Sequence, residues 1–133
     1  MSVLLDTHVW IWWLTPGDRL PGRDRARLDE LAARSEVHLS AISLWEAQML
    51  HARRRIELPG GFAKWIAAAS GPDVINLVPL DAEVIVALDE LPGRFHGDPA
   101  DRIIAATARC KGMPLATWDK SLRRLRSIEI WRA

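Results

Sequence analysis

The chain has little that could cross-link it or anchor it in a membrane. It contains a single cysteine, Cys110, so no disulfide can form within it, which is typical of a protein in the reducing cytoplasm. No apolar run approaches the roughly 20 residues that a membrane span requires. The N-terminus lacks the basic segment and long apolar stretch of a signal peptide, and no cysteine–histidine spacing fits a zinc site. We therefore expect a cytoplasmic protein with no membrane role.

Size and composition favour one domain spanning residues 1–133. Apolar residues make up 49% of the chain, which is enough to build a core. The net charge of +1 hides an asymmetry, because 15 of the 18 basic residues are arginine. Guanidinium groups match phosphate oxygens well, which suits a nucleic-acid partner. A genome rich in G and C would produce the same bias, and composition alone does not separate the two explanations.

Short apolar runs alternate with amphipathic stretches along the chain. Strands are predicted at residues 2–6, 37–39, 74–78 and 115–117, with 128–130 as a possible fifth. Helices are predicted at 7–14, 21–32, 40–55, 62–69, 81–91 and 99–111, with a loop at 91–97. This alternation predicts an α/β fold in which helices cover both faces of a mainly parallel sheet of four to five short strands.

Four acidic residues stand where such a fold would gather side chains. Asp6 ends the first apolar run and Asp119 follows the fourth, while Glu46 and Asp101 lie near the starts of two helices. In open parallel sheets, ligands bind beyond the C-terminal ends of the strands. Carboxylates collected there repel one another unless a cation joins them. The pattern therefore suggests a Mg²⁺ or Mn²⁺ site for work on phosphate esters.

Each acid also has a purely structural interpretation. Asp98 fits the N-cap of the helix that begins at Pro99, and Asp6 and Asp119 fit caps of the helices that follow them. Glu46 fits a capping box that starts at Ser43, unless Ser40 is the true cap. Four unrelated caps in this order are a less economical explanation than one shared site.

Four segments together resemble a PIN domain, and more narrowly the VapC-type toxin ribonucleases of bacterial toxin–antitoxin pairs. The segments are residues 4–8, 40–46, 98–108 and 115–119, and the resemblance covers almost the whole chain. It implies a three-layer α/β/α fold and Mg²⁺-dependent (or Mn²⁺-dependent) cleavage of RNA. It also implies a homodimer and silencing by a co-expressed antitoxin.

The resemblance further implies roles for single residues. The matching catalytic and metal-binding acids are Asp6, Glu46, Asp101 and Asp119. Asp98 is a possible further ligand, although Asp101 aligns better with the Ile-Ala-Ala-Thr-Ala run that follows it. Thr7 and Thr117 would support the acids by hydrogen bonding. Water activated at the metal would attack the phosphate in line and leave a 5′-phosphate and a 3′-hydroxyl.

Arginines are the predicted contacts of the RNA backbone. The candidates are Arg53, Arg54, Arg55, Arg102, Arg109, Arg123 and Arg124, with Arg126 in the last cluster. Any one of them also fits a solvated helix face, or for Arg102 a salt bridge to a site acid. His96 is a weaker candidate for substrate contact. No histidine spacing is typical of an acid–base couple, which disfavours a metal-free nuclease.

Three tryptophans, Trp10, Trp12 and Trp13, crowd the first predicted helix. Helical spacing places Trp10 and Trp13 on one face and Trp12 elsewhere. Core packing is the default interpretation. Contact with a second subunit or an antitoxin is an equal alternative, because one short helix in a small domain is a poor place to bury three indoles. Base stacking is a weaker option.

The antitoxin is expected to lay a basic side chain among the four acids. The helix that carries the three tryptophans is the expected wall of the groove for its apolar residues.

Two other functions fit parts of the sequence. A phosphatase of the haloacid-dehalogenase type also opens with a strand ending in Asp, but it usually needs a second Asp two residues on, where this chain has His8. A catalytically silent PIN fold that only binds RNA or a partner would not need the intact set of four acids.

Overall fold

A parallel four-stranded sheet lies at the centre of the computed structural model, which describes residues 1–92 and 98–133. Its strands are β1 (Val3–Leu5), β2 (Val37–Ser40), β3 (Asn76–Val78) and β4 (Leu115–Ala116), in the order β3-β2-β1-β4. Leu5 pairs with Leu39 on one side and with Ala116 on the other. The predicted parallel sheet is therefore confirmed. In place of the possible fifth strand at residues 128–130, the structure has an isolated parallel β-bridge between Leu115 and Ile130.

Seven helices in the described ranges cover the sheet. They are α1 (Thr7–Trp13), α2 (Gly22–Ala33), α3 (Ile42–Ala52), α4 (Phe62–Ala69), α5 (Ala82–Asp89), α6 (Pro99–Lys111) and α7 (Lys120–Arg123). None of the described helices combines the length and apolar character needed to cross a membrane. Most of the predicted loop at 91–97, including His96, lies outside the described residues.

The central strand β1 separates two cores. Val3 and Leu5 pack in a cluster with Trp10, whereas Leu4 packs in a second cluster with Ile104. All three β1 side chains are fully buried, because helices cover both faces of the sheet. This explains why the first apolar run has no polar alternation, and it confirms the three-layer α/β/α architecture.

The boundaries of α3 differ from prediction at both ends. The helix ends at Ala52 because Arg54 adopts a left-handed conformation (φ 56°) and the Arg55 N–H donates to the Leu50 carbonyl at 2.9 Å. Glycine usually occupies such a position, so the sequence carried no stop signal there. At the other end the N-cap is Ala41, although the Ser40 hydroxyl still accepts from the Ile42 N–H at 3.3 Å.

The capping box proposed at Ser43 is wrong, because Ser43 lies inside α3 and its hydroxyl pairs with that of Thr7 at 2.8 Å. Glu46 therefore has no capping role. The apolar side chains of α5 are only partly buried. Val84 is fully buried, whereas Ile85 is 48% exposed.

The three tryptophans of α1 have different environments. Trp10 and Trp13 are buried, and their indole N–H groups donate to the Ala69 carbonyl at 3.0 Å and to Asp29 Oδ1 at 2.8 Å. Trp12 is only partly buried. The predicted separation of faces is confirmed, and core packing accounts for two of the three indoles.

Candidate active site

The C-terminal ends of the adjacent strands β1 and β4 hold the first acid in place. Asp6 follows β1, and its Oδ1 accepts from the Thr7 N–H at 2.8 Å. Thr117 follows β4, and its hydroxyl donates to Asp6 Oδ2 at 2.7 Å. The same Thr117 hydroxyl accepts from the Asp119 N–H at 3.0 Å. One threonine thus fixes the positions of two acids that are far apart in sequence.

Three of the four predicted acids converge. Asp6, Glu46 and Asp101 each place one carboxylate oxygen within 4.8 Å of the others. They come from the end of β1, the middle of α3 and the first turn of α6. Asp6 and Glu46 are buried, and Asp101 is half-buried. Since no one element carries more than one of them, this cluster is a product of the tertiary fold.

Burial and the charges of neighbouring acids disfavour the ionised form of all three groups. Burial raises the pKa of Asp6, although the hydrogen bond from Thr117 partly offsets it. Burial also raises the pKa of Glu46, with Thr7 opposing the effect. Asp101 is the most perturbed, because burial and then the nearby charges of Asp6, Asp98 and Glu46 raise its pKa to about 8.

The donor set fits a hard divalent cation. Glu46 Oε1 is buried and accepts no hydrogen bond from the described residues, which is costly unless another group meets it. Mg²⁺ and Mn²⁺ prefer carboxylate oxygens of this kind. A cation bound among the three acids would stabilise their ionised forms and would therefore lower their pKa values.

Asp119 and Asp98 lie at the rim of the same cavity, which has a volume of about 390 Å³. Both are also helix caps: Asp119 Oδ1 accepts from the Leu122 N–H at 3.0 Å, and Asp98 Oδ1 accepts from the Asp101 N–H at 2.9 Å. The capping interpretation is confirmed for these two residues. Their charges still act on the cluster, since Asp119 contributes to the raised pKa of Asp6.

The predicted RNA-binding arginines are spread over the surface. Arg53 and Arg55 line a cavity adjoining the acids. The Arg123 guanidinium lies 5.2 Å from the ring centroid of Trp118, and its Nε donates to the Thr117 carbonyl at 2.7 Å. Arg109 donates to the Glu90 carbonyl at 3.0 Å.

The remaining candidates, Arg54, Arg102, Arg124 and Arg126, are exposed. Among the residues that the structure describes, Arg102 forms no salt bridge with a site acid.

Sequence reasoning missed four residues that line the acidic cavity, which are His8, Val9, Arg19 and Trp118. Trp118 directly precedes the predicted site residue Asp119, so its position beside the site could have been predicted from the sequence. Arg19 lies in the connection between α1 and α2 and had no signal in the sequence. Arg25 of α2 holds this connection by donating to the carbonyls of Trp12 and Trp13 at the end of α1.

Comparison with known proteins identifies a family and a relative that are similar to this chain. The model of the PIN domain family matches residues 3–128. Ribonuclease VapC22 of Mycobacterium tuberculosis is 35% identical over 134 residues, which cover 98% of this chain and 98% of that protein.

Three solved structures are similar along nearly their whole length. VapBC2 from Rickettsia felis bound to a DNA fragment from its promoter has a TM-score of 0.73 at 17% identity, covering 98% of each chain. FitAB bound to the IR36 DNA fragment has a TM-score of 0.70 at 25% identity, covering 98% of this chain and 94% of that one. FitAcB from Neisseria gonorrhoeae has a TM-score of 0.67 at 24% identity, covering 98% and 97%.

Proposed function

The chain belongs to the PIN domain family and is a homologue of a VapC ribonuclease, and from this premise we propose that it is a Mg²⁺-dependent endoribonuclease that acts as the toxin of a toxin–antitoxin pair. The observation that carries the proposal is the convergence of Asp6, Glu46 and Asp101 within 4.8 Å. Three carboxylates with raised pKa values are poorly explained as a stabilising feature, because their repulsion costs folding free energy. Mn²⁺ is an alternative cation for the same donors.

In this mechanism Asp6, Glu46 and Asp101 would hold the cation, and Asp119 and Asp98, which line the same cavity, are the candidates for further ligands. The chemistry supplied at these residues would be polarisation of the phosphate and activation of water for in-line attack. Thr117 keeps Asp6 pointed into the cluster through its 2.7 Å hydrogen bond, and Thr7, the first residue of α1, opposes the rise in the pKa of Glu46. The burial of Asp6 and Glu46 keeps bulk water from competing for their oxygens.

RNA is the proposed substrate because the 35% identical relative is a ribonuclease and because basic side chains adjoin the acids. Arg53 and Arg55 line the neighbouring cavity, and Arg123 lies beside the end of β4. Contacts of these residues with phosphate oxygens would hold the backbone without reading its sequence. Arg109 is a poorer candidate, since it already donates to the Glu90 carbonyl.

The partner that silences the enzyme is proposed to be an antitoxin with a basic side chain. A guanidinium placed among Asp6, Glu46 and Asp101 would donate to the Glu46 oxygen that accepts no hydrogen bond from the described part of the chain, and it would displace the cation. Of the tryptophans on α1, only Trp12 is accessible to such a segment. A homodimer and a cytoplasmic location remain predictions, and light scattering on the purified protein measures the first.

Cleavage in vitro tests the nuclease. We expect the purified protein to cut RNA in Mg²⁺ or Mn²⁺ and not in EDTA, and to leave 5′-phosphate and 3′-hydroxyl ends, which ligation-dependent end mapping detects. Asp101→Asn is the matched inactive control. Metal-independent cleavage, or equal cleavage by the variant, would refute the metal centre. RNA binding without any cleavage would favour a catalytically silent PIN fold. The alternative of a haloacid-dehalogenase phosphatase has no support, because the chain matches the PIN family.

Growth curves test the toxin. Induced wild-type protein should arrest growth, and Asp101→Asn should not. Co-expression with the adjacent reading frame, which is where the antitoxin is expected to be encoded, should restore growth. Harmless expression of a protein that cleaves RNA in vitro, with no partner recovered by pull-down, would leave a housekeeping nuclease.

A further inference from the structure

A buried pair of hydroxyl groups lies beside the acidic cluster. The hydroxyl oxygens of Thr7 and Ser43 are 2.8 Å apart, and both side chains are fully buried. Thr7 is the first residue of α1 and directly follows Asp6, which caps that helix. Ser43 is the second residue of α3 and lies one turn before Glu46, on the same side of the helix. The pair therefore links the two helices that position Asp6 and Glu46.

The Ser43 hydroxyl is used differently from other hydroxyls in and beside the helices. Those of Ser70 and Thr107 each donate to the carbonyl four residues earlier in their own helix, at 2.7 Å. Such a bond is the common local partner of a helical serine or threonine. In the described part of the chain, the Ser43 hydroxyl instead pairs with a side chain 36 positions away. Its contact therefore serves α1 as well as its own helix.

The number of available protons sets the direction of this hydrogen bond. Each hydroxyl has one proton to donate. If Thr7 donated to Ser43, the Ser43 proton would be buried and would have no acceptor among residues 1–92 and 98–133, which is costly. Ser43 is therefore the donor, and Thr7 keeps its own proton for a third group.

Glu46 is the group that receives the Thr7 proton. Burial raises the pKa of Glu46, and hydrogen bonding from Thr7 opposes that rise, which places the Thr7 hydroxyl against the carboxylate. Glu46 Oε1 is buried and accepts no hydrogen bond from the described residues, so the proton belongs to the other oxygen. A bond there fixes the rotation of the carboxylate and leaves Oε1 for a cation.

We propose that Ser43 is a positioning residue of the metal centre, whose hydroxyl donates to Thr7 and thereby directs the Thr7 proton at Glu46. The inference rests on the proposed metal-dependent function and deepens it, because it adds a residue that acts on a cation ligand without touching the cation. A bond donated to Thr7 fixes its rotamer and strengthens the bond that Thr7 donates in turn. Glu46 then meets a cation without having to reorient.

A double-mutant cycle on cation affinity tests this network. Titration calorimetry with Mg²⁺ and with Mn²⁺ measures Kd for the wild type, Ser43→Ala, Thr7→Val and the double variant. We expect Ser43→Ala to raise Kd about 10-fold, at the low end of the range typical of groups that hold a metal ligand. Adding Ser43→Ala to Thr7→Val should change Kd by less than about twofold, because a serine that acts through the Thr7 hydroxyl has no effect once that hydroxyl is removed.

Thermal melting in EDTA gives a second readout that needs neither cation nor RNA. Thr7→Val leaves the Ser43 proton buried without an acceptor, and Ser43→Ala removes the bond from the other side, so both variants should melt below the wild type. The double variant should melt above Thr7→Val, because it no longer buries an unpaired donor.

Matched variants give the controls. Ser43→Thr keeps the hydroxyl and should restore most of the cation affinity that Ser43→Ala loses. Ser70→Ala is the same chemical change at a hydroxyl that bonds to its own helix, and it should leave Kd unchanged. If Ser43→Ala does not fold, Ser43→Cys takes its place in the cycle, since a thiol nearly keeps the volume but is only a weak donor.

Two results would overturn the role of Ser43 alone. One is a wild-type Kd in Ser43→Ala. The other is an equal fold-loss from Ser43→Ala in the wild-type and Thr7→Val backgrounds, which would assign Ser43 to the packing of α1 against α3. Cation binding without any RNA cleavage would instead refute the proposed ribonuclease, and the cycle remains measurable in that case. A wild type that binds neither Mg²⁺ nor Mn²⁺ would refute both.

Discussion

Replacing Asp101 with asparagine should stabilise the metal-free protein and abolish its activity. The change keeps the volume of the side chain and removes one negative charge from the cluster. Burial and the charges of Asp6, Asp98 and Glu46 raise the pKa of Asp101 from 3.8 to about 8. When the folded pKa lies above the unfolded pKa, stability is highest below the unfolded value and falls as the pH rises toward the folded one. The gain from Asp101→Asn should therefore grow between about pH 4 and pH 8.

The size of the gain follows from the same shift. A rise from 3.8 to about 8 corresponds to roughly 6 kcal/mol as an upper bound. Asp101 is only half-buried, so solvent screening reduces this, and we expect about 1–3 kcal/mol. For a chain of this size, that corresponds to a rise in Tm of about 3–12 °C above roughly pH 8.

Thermal melts in EDTA at about pH 5 and about pH 8.5 measure the effect. Asp81→Asn is the matched control, because Asp81 is an exposed cap of α5 that does not line the acidic cavity, and asparagine caps as well as aspartate. Mg²⁺ should raise the Tm of the wild type and should have little effect on Asp101→Asn. If Asp101→Asn and wild type melt together in EDTA at both pH values, the acids do not repel one another as reasoned, and the argument for a cation among them fails.

Five further substitutions at four positions separate ligands from supporting groups. Asp6→Asn should abolish RNA cleavage in a gel assay while melting at or above the wild-type temperature in EDTA; wild-type cleavage would remove Asp6 from the metal centre. Asp101→Ala should lose more than about 100-fold in activity, beyond the 10–100-fold typical of groups that support a metal ligand. Asp98→Ala should instead cost about 0.5–2 kcal/mol of stability through its lost cap, and the reverse ranking would exchange their roles. Thr117→Val should weaken Mg²⁺ binding about 10–100-fold in titration calorimetry, because it removes the hydrogen bond donated to Asp6, and Thr117→Ser should restore it. Equal losses in both Thr117 variants would assign the threonine to packing alone.

Local sequence signals were sufficient for the order of elements. An apolar run without polar alternation indicated a strand buried on both faces, and β1 has that environment. The cap residues Asp98 and Asp119 correctly marked the starts of two helices, because a helix start depends on a few neighbouring residues. The sequence did not predict the end of α3, because Arg54 adopts there the left-handed conformation that glycine usually adopts.

The sequence by itself also determined which acids could form a site, since it placed Asp6 and Asp119 after strands and Asp101 in a first helical turn. Only the tertiary structure decided how they meet. The strand order puts β4 beside β1, so Thr117 reaches Asp6 across 111 positions of sequence, and Asp119 is left at the rim as a cap. The partial exposure of Trp12 and the approach of Arg19 depend in the same way on how the chain between α1 and α2 is held by Arg25. Such contacts join residues that are distant in sequence, and they depend on packing that no local pattern encodes.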